Sequence, residues 1–187
     1  MMLIGLAGPA RSGKDTVAAH VAPIFGLERY AFAQPIKRAI QVMFGLDERH
    51  TEGNLKEVQL PVIGCTPRRL MQTLGTEWGR DTIDSQLWTK LAGCRWEQCK
   101  RQGKGLLITD VRYDNEAQFI RDNGGVIVHV LRPTRPDIEA HASERPMEIQ
   151  PQDWTIGNSS DVSALLDLAE RAFRKILTTQ HQLKTAE

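Results

Sequence analysis

The sequence predicts an α/β fold, a three-layer α/β/α sandwich around a parallel sheet, and three observations carry that prediction. A short apolar run, Leu3, Ile4 and Leu6, feeds directly into the stretch Gly8-Pro9-Ala10-Arg11-Ser12-Gly13-Lys14-Asp15-Thr16, which opens a helical pattern. Two further apolar runs, Leu106-Leu107-Ile108 and residues 126–131, read as strands buried on both faces, as parallel strands are. Segments of helical spacing stand between the runs, and parallel strands need such crossovers.

Taken in order, the first run is a central strand, and a helix follows over 13–24. Its Val17, Ala18, Val21 and Ile24 recur at spacings of three and four, which lays one stripe on a sheet. Residues 28–32 read as a second strand, and Pro35 starts a helix through Met43, since proline suits a first turn. Residues 47–54 are polar and are expected to be a mobile connection. Thr66 as cap and Pro67 in the first turn open a helix to about Gly79, which puts Arg68, Gln72, Gly75 and Thr76 along one stripe. A further helix over 83–100 carries Leu87, Trp88, Leu91 and Trp96, aromatics expected in packing rather than around a ligand.

The strand over 106–110 ends in the carboxylate of Asp110, and a helix over 115–123 is stopped by Gly124-Gly125. After the strand at 126–131, residues 132–148 are rich in arginine, proline and acids without an apolar period, and form a candidate lid. Trp154-Thr155-Ile156 is a last strand and residues 157–160 a turn. Asp161 caps a helix bearing Val162, Leu165, Leu166, Leu168, Ala169, Phe173 and Ile176, and the tail from Thr179 is expected to fray.

With 187 residues, 41% of them hydrophobic, the chain can bury one good core, and a single domain over 1–187 is expected. No repeat or linker interrupts it. The formal charge of +1 gives no global field to draw nucleic acid or a membrane surface, so basic groups matter where they cluster. Cys65, Cys94 and Cys99 match no zinc or redox spacing and read as free thiols in a reducing cytosol. Cys94 and Cys99 with His129 are the nearest approach to a metal set, but buried small hydrophobes are the plainer reading. The first seven residues are too short for a signal sequence or a span.

The glycine-bearing stretch reads as a phosphate-binding loop. Glycines let backbone N–H groups turn inward, the following helix offers its positive end, and Lys14 adds a mobile cation. A nucleoside triphosphate is the expected ligand. The hydroxyl that ordinarily follows the lysine to hold magnesium is here Asp15, with Thr16 one place later. Asp15 is a direct or water-mediated magnesium ligand, or a carboxylate complementing the helix dipole, and both can hold together. Phosphoryl transfer to a second substrate needs cations around the moving group. Lys37, Arg68 with Arg80, Arg112, and Arg132 with Arg135 and Arg145 supply them from four segments, which favours a kinase. Any one such arginine taken alone is a surface charge.

At this point the chain resembles the bacteriophage-type deoxynucleoside monophosphate kinases, within the P-loop nucleoside monophosphate kinase class. The resemblance runs over nearly the whole length, on Ser12-Gly13-Lys14-Asp15-Thr16, Ala33-Gln34-Pro35-Ile36-Lys37, Pro67-Arg68 with Gln72, and Leu74-Gly75-Thr76-Glu77-Trp78-Gly79-Arg80. It continues on Thr109-Asp110-Val111-Arg112, Asn115-Glu116-Ala117, Asn123-Gly124-Gly125, Leu131-Arg132-Pro133 and His141-Ala142-Ser143-Glu144. The resemblance implies magnesium-dependent transfer from ATP to a deoxynucleoside monophosphate by a monomer or homodimer. It also implies that Arg11, Ser12, Gly13 and Lys14 hold the donor phosphates, with Asp15 or Thr16 in the magnesium shell. Lys37, Arg68, Gln72 and Arg80 would line the acceptor pocket, and Asp110 and Arg112 would stand where donor and acceptor meet. Arg132 would begin the lid, and Gly157-Asn158-Ser159 resembles a turn that packs on adenine. Glu116 orients Arg112, touches the acceptor, or is a helix-surface carboxylate, and His141 would steady the lid by a hydrogen bond. Both nucleotides would lie end to end in one dry cleft.

Two rival readings remain at this level. One is another small-molecule kinase on the same scaffold, a dephospho-coenzyme A or phosphomevalonate kinase. The other is a nucleotide-dependent switch or ATPase with no metabolite acceptor. The second leaves the additional arginines without a task.

Overall fold

The computed structural model describes residues 1–132 and 147–185, with the backbone alone at 181 and 183–185. The chain forms two compact units, one of Met1–Ala31 with Cys94–Glu187 and the other of Phe32–Gly93.

The first unit is built on a five-stranded, wholly parallel sheet in the order β2-β3-β1-β4-β5. Its strands are β1 (Leu3–Ala7), β2 (Leu27–Tyr30), β3 (Gly105–Val111), β4 (Val126–Leu131) and β5 (Trp154–Gly157). Every residue of β1 is buried, as a central parallel strand requires. It pairs with β3 through Leu3 opposite Leu106 and with β4 through Ile4 opposite Val126. Alternation then sorts its side chains. Ile4 and Leu6 pack into a core shared with Val17, Ala18 and Val21 of α1 (Lys14–Ile24) and with Leu165, Ala169, Phe173 and Ile176 of the C-terminal helix Val162–Thr185. Gly5 turns the other way, under Ile120 of the helix Asp114–Asp122. Helices thus cover both faces of the sheet, the layering expected from sequence.

In the C-terminal helix, spacings of four, four and three bury Leu165, Ala169, Phe173 and Ile176, while Val162 and Leu168 of the same expected apolar set are exposed. The expected frayed tail is helical through Thr185. At its start Asp161 Oδ1 accepts from the Ala164 N–H at 2.9 Å, the cap that was anticipated.

The second unit is helical: α2 (Gln34–Phe44), α3 (Glu48–Thr51), α4 (Pro67–Gln72), a π-helix over Thr73–Ile83, and the beginning of α5 (Leu87–Arg101). Two expectations are corrected here. The polar stretch 47–54 contains a capped helical turn, because Asp47 accepts from the Arg49 N–H at 3.0 Å and its carboxyl also meets the His50 ring at 2.7 Å. Arg49 holds that exposed carboxyl down to about 2. Thr51 is fully buried and accepts from Gln41 at 2.8 Å, which ties the turn to α2. Nor does one α-helix run to Gly79. After Gln72 the backbone widens, so the stripe drawn at α-helical spacing through Arg68, Gln72, Gly75 and Thr76 does not continue past α4. The Gly75 carbonyl accepts from Trp88 Nε1 at 2.8 Å and from Arg80 at 3.0 Å. A Cβ on Gly79 would lie 2.4 Å from the Trp88 ring, so glycine admits the indole against the backbone. Trp88 and Trp96 are buried, as expected of packing aromatics, whereas Leu91 is exposed. The following helix starts at Leu87 rather than Ile83, because Asp84 is extended and accepts from the Gln86 N–H at 2.7 Å.

Candidate active site

β1 delivers the chain to the glycine loop at the carboxyl end of the sheet, where open parallel folds bind ligands. Gly8 has φ 134°, and a Cβ there would stand 2.4 Å from the Val130 carbonyl, so only glycine lets the loop pass β4. Arg11, exposed, holds φ 61°, a left-handed conformation that costs energy for a side chain of its size and marks a constrained loop. Gly13, at φ 104°, precedes α1, whose N-terminus has no side-chain cap. Its first N–H groups are therefore available to an anion.

Lys14 folds back into this loop. Its Nζ donates to the carbonyls of Gly8 and Pro9, each at 2.7 Å. Burial is the main cause that lowers its pKa below 10.5, and the charge of Arg112 lowers it further, while Asp15 and Asp110 raise it. Those couplings bring Lys14, Asp15, Asp110 and Arg112 into one electrostatic cluster. Ser12 is buried and its hydroxyl has no hydrogen-bond partner among the described residues, an orphan that a phosphate oxygen would satisfy. Asp15 and Thr16 are exposed in the first turn of α1. Among the described residues no group of three or more His, Cys, Asp or Glu is arranged to hold a metal.

Asp110 lies half-buried near the end of β3, next to β1. Glu116 is buried, and its Oε2 accepts from the backbone N–H of Arg112 at 2.8 Å and of Tyr113 at 3.2 Å. This overturns the helix-surface reading and supports the orienting one, since the carboxylate fixes the turn that carries Arg112. Asn158, just after β5, donates from Nδ2 to the Ser12 carbonyl at 2.8 Å. Arg132 is exposed, with Nη1 3.5 Å from the Arg11 carbonyl.

In the second unit the expected acceptor groups already have partners. Lys37 Nζ donates to Glu52 at 2.6 Å, Arg68 pairs with Glu57, and Arg80 holds the Gly75 carbonyl. Gln72 is half-buried on α4. Sequence reasoning missed Glu52 and Glu57, which sit in a polar connection where a glutamate carries no local signal of its partner.

The sequence profile of the deoxynucleotide monophosphate kinases matches residues 2–65 and 64–168. The chain belongs to that family. A protein of Acanthamoeba polyphaga mimivirus, provisionally described as a deoxynucleotide monophosphate kinase, is 32% identical over 161 residues, covering 77% of this chain and 81% of the relative. The deoxynucleotide monophosphate kinase of Enterobacteria phage T4 is 25% identical, covering 88% of this chain and 95% of its own. A gluconokinase structure from Sinorhizobium meliloti 1021 superposes with a TM-score of 0.54 over 97% of both chains at 10% identity, a likeness of fold alone. This kinase is therefore a phosphotransferase that acts on nucleoside monophosphates.

Within the kinase, the expected lid falls largely outside the described residues, and with it Arg135, His141, Ser143, Glu144 and Arg145. No helix of the described residues is long and apolar enough to cross a membrane. His129 is buried, its Nε2 3.0 Å from Asp153 Oδ2, a contact quite apart from Cys94 and Cys99. The Glu116→Ala variant of this kinase is expected to lose about 1–2 kcal/mol, because two backbone donors of a half-buried turn lose their buried carboxylate acceptor. Urea unfolding measures that loss, and an unchanged midpoint would remove the orienting role.

Proposed function

We propose that this kinase transfers the γ-phosphoryl of ATP, with magnesium, to a deoxynucleoside monophosphate, giving ADP and the deoxynucleoside diphosphate. The carrying observation is the uncapped N-terminus of α1 with the buried Lys14 and the orphaned Ser12 hydroxyl beside it, donors gathered at one loop where a phosphate group would be met by several at once. Loop amides, Ser12 and Lys14 hold the donor phosphates. Lys37, Arg68 and Arg80 serve the acceptor's phosphate and Gln72 its base, while Asp110 and Arg112 stand at the reacting phosphoryl.

Asp15 and Thr16 offer the hard oxygens that magnesium prefers, and so few protein donors fit an ion held mainly by substrate phosphates and water. When bound, the ion neutralises charge on the transferred group. The attacking atom is an oxygen of the acceptor's own phosphate, already ionised at neutral pH. A bond forms from it to the γ-phosphorus as the bond to the ADP oxygen breaks, so no side chain need act as nucleophile or base. Positioning and charge neutralisation do the work.

The resting pairs of Lys37 with Glu52 and Arg68 with Glu57 give a phosphate dianion something to displace. Being exposed, such pairs are weak, and a dianion outcompetes a single carboxylate for either cation. The Arg68→Ala variant is expected to raise the acceptor KM about tenfold or more with the Kd for ATP unchanged. Equal weakening of both ligands contradicts the division of roles. A coupled assay over the four deoxynucleoside monophosphates, their ribose counterparts and dephospho-coenzyme A tests the acceptor class. Formation of ADP with the last alone would refute it.

A further inference from the structure

Asn158 follows the edge strand β5, yet the hydrogen bonds it donates go to the phosphate loop and to β4. Its side-chain Nδ2 donates to the Ser12 carbonyl at 2.8 Å, and its backbone N–H donates to the Leu131 carbonyl at 2.6 Å. The second bond extends the β4–β5 pairing beyond Leu131 opposite Gly157, so the residue is held by the sheet. Gly13 makes room for the amide. A Cβ at that position would come within 2.8 Å of Nδ2.

The peptide linking Ser12 to Gly13 is planar and trans, so its C=O and N–H point in opposite directions. Holding the carbonyl on Asn158 therefore turns the Gly13 N–H away from Asn158, and an anion seated in the loop needs such donors and is repelled by carbonyls. We propose that Asn158 is a positioning residue for the donor's phosphates, acting through the Ser12–Gly13 peptide rather than on the base. The inference rests on reading the loop as the donor site. It makes a distinctive demand: the contribution of Asn158 is the same whether or not the donor carries adenine.

Calorimetric binding of magnesium ATP and of magnesium tripolyphosphate to the intact protein decides it. For Asn158→Ala both dissociation constants are expected to rise by the same factor, about tenfold, the worth of one well-placed hydrogen bond. The acceptor KM is expected to stay within about twofold, as for a loss confined to the donor site. Weakened ATP with unchanged tripolyphosphate would assign the residue to the base, and no change in either would deny it a role. Either result overturns the proposal. If the alanine variant does not melt cooperatively, Asn158→Asp takes its place. That side chain has the same shape but sets an oxygen against the Ser12 carbonyl, and both ligands are expected to weaken at least as much. Unchanged binding there also overturns the proposal. Failure of the unmodified protein to bind either ligand would instead sink the donor-site reading itself.

Discussion

Lys14→Ala is expected to lower kcat by roughly 10³-fold, the loss of a preorganised donor to the moving phosphoryl, while the fold survives. Both halves follow from where the ammonium sits. Its two bonds go to carbonyls of the loop itself, at 2.7 Å each, and burial is the chief cause that pulls its pKa below 10.5. A group whose folded pKa lies below its unfolded value is one the unfolded chain protonates more readily, so its charge opposes folding below 10.5 and that cost fades as pH rises. Alanine removes a cost to folding and, on the role proposed for Lys14, a donor that transfer needs. Thermal melting is expected to stay within about 5 °C of the parent. A variant that unfolds, or one that keeps its turnover, contradicts this account.

The same lysine sets a pH dependence. Triphosphate oxygens would favour the charged form and raise a pKa that the free protein holds down. Binding is then expected to take up a proton at alkaline pH, between the lowered value and 10.5, and to weaken as pH rises through that window. Calorimetry in buffers of different ionisation enthalpy reads the uptake directly. Lys14→Arg, which stays charged throughout, is expected to show none.

Legibility from sequence followed the range of the interactions. β1, β4 and the loop were readable because an apolar run and a glycine spacing are local, and the backbone turned within a few residues of where they predict. The π-helix was not. Its widening is tied to the Gly75 carbonyl that serves both Arg80 and Trp88, and the indole comes from the next helix. The turn at 48–51 was missed for a different reason. The cap at Asp47 went unread within a polar stretch, and Thr51 with its bond to Gln41 of α2 is what holds so short a helix. Within the candidate site, Lys14, Asp110, Arg112 and Asn158 were each singled out from local motifs, whereas the burial of Glu116 and its bond to the Arg112 backbone are not announced by a charged residue in a polar motif.

Asp153 shows the same limit most clearly, and replacing it has the largest expected effect on stability. Its carboxylate, 1% exposed, accepts from Arg121 at 2.8 and 3.0 Å and from the Gln150 N–H at 3.0 Å, and it meets His129 Nε2 at 3.0 Å. Those partners belong to the helix Asp114–Asp122, to the chain entering β5, and to β4. Burial pushes the carboxyl up, but the bonds from Gln150, His129 and Arg121 outweigh it and hold the pKa below 3.8. Asp153→Asn keeps the shape and removes the charge. Arg121 is then left without its counter-ion, a change that costs about 3–5 kcal/mol. That corresponds to a fall of about 10 °C in Tm for a chain of this size. The sign with pH is fixed by the depressed value. The contribution is complete above 3.8 and disappears as pH falls through the lower folded pKa, so parent and variant should converge in acid. Asp153 stands where the chain enters β5, whereas the glycine loop follows the carboxyl end of β1, and no partner of Asp153 is a residue of that loop. Turnover measured well below the variant's Tm is accordingly expected to hold while hydrogen exchange in β4 and β5 accelerates. An unchanged melting curve would mean that the buried charge is matched by some other group, and the account of how β5 is held at the sheet edge would fall with it.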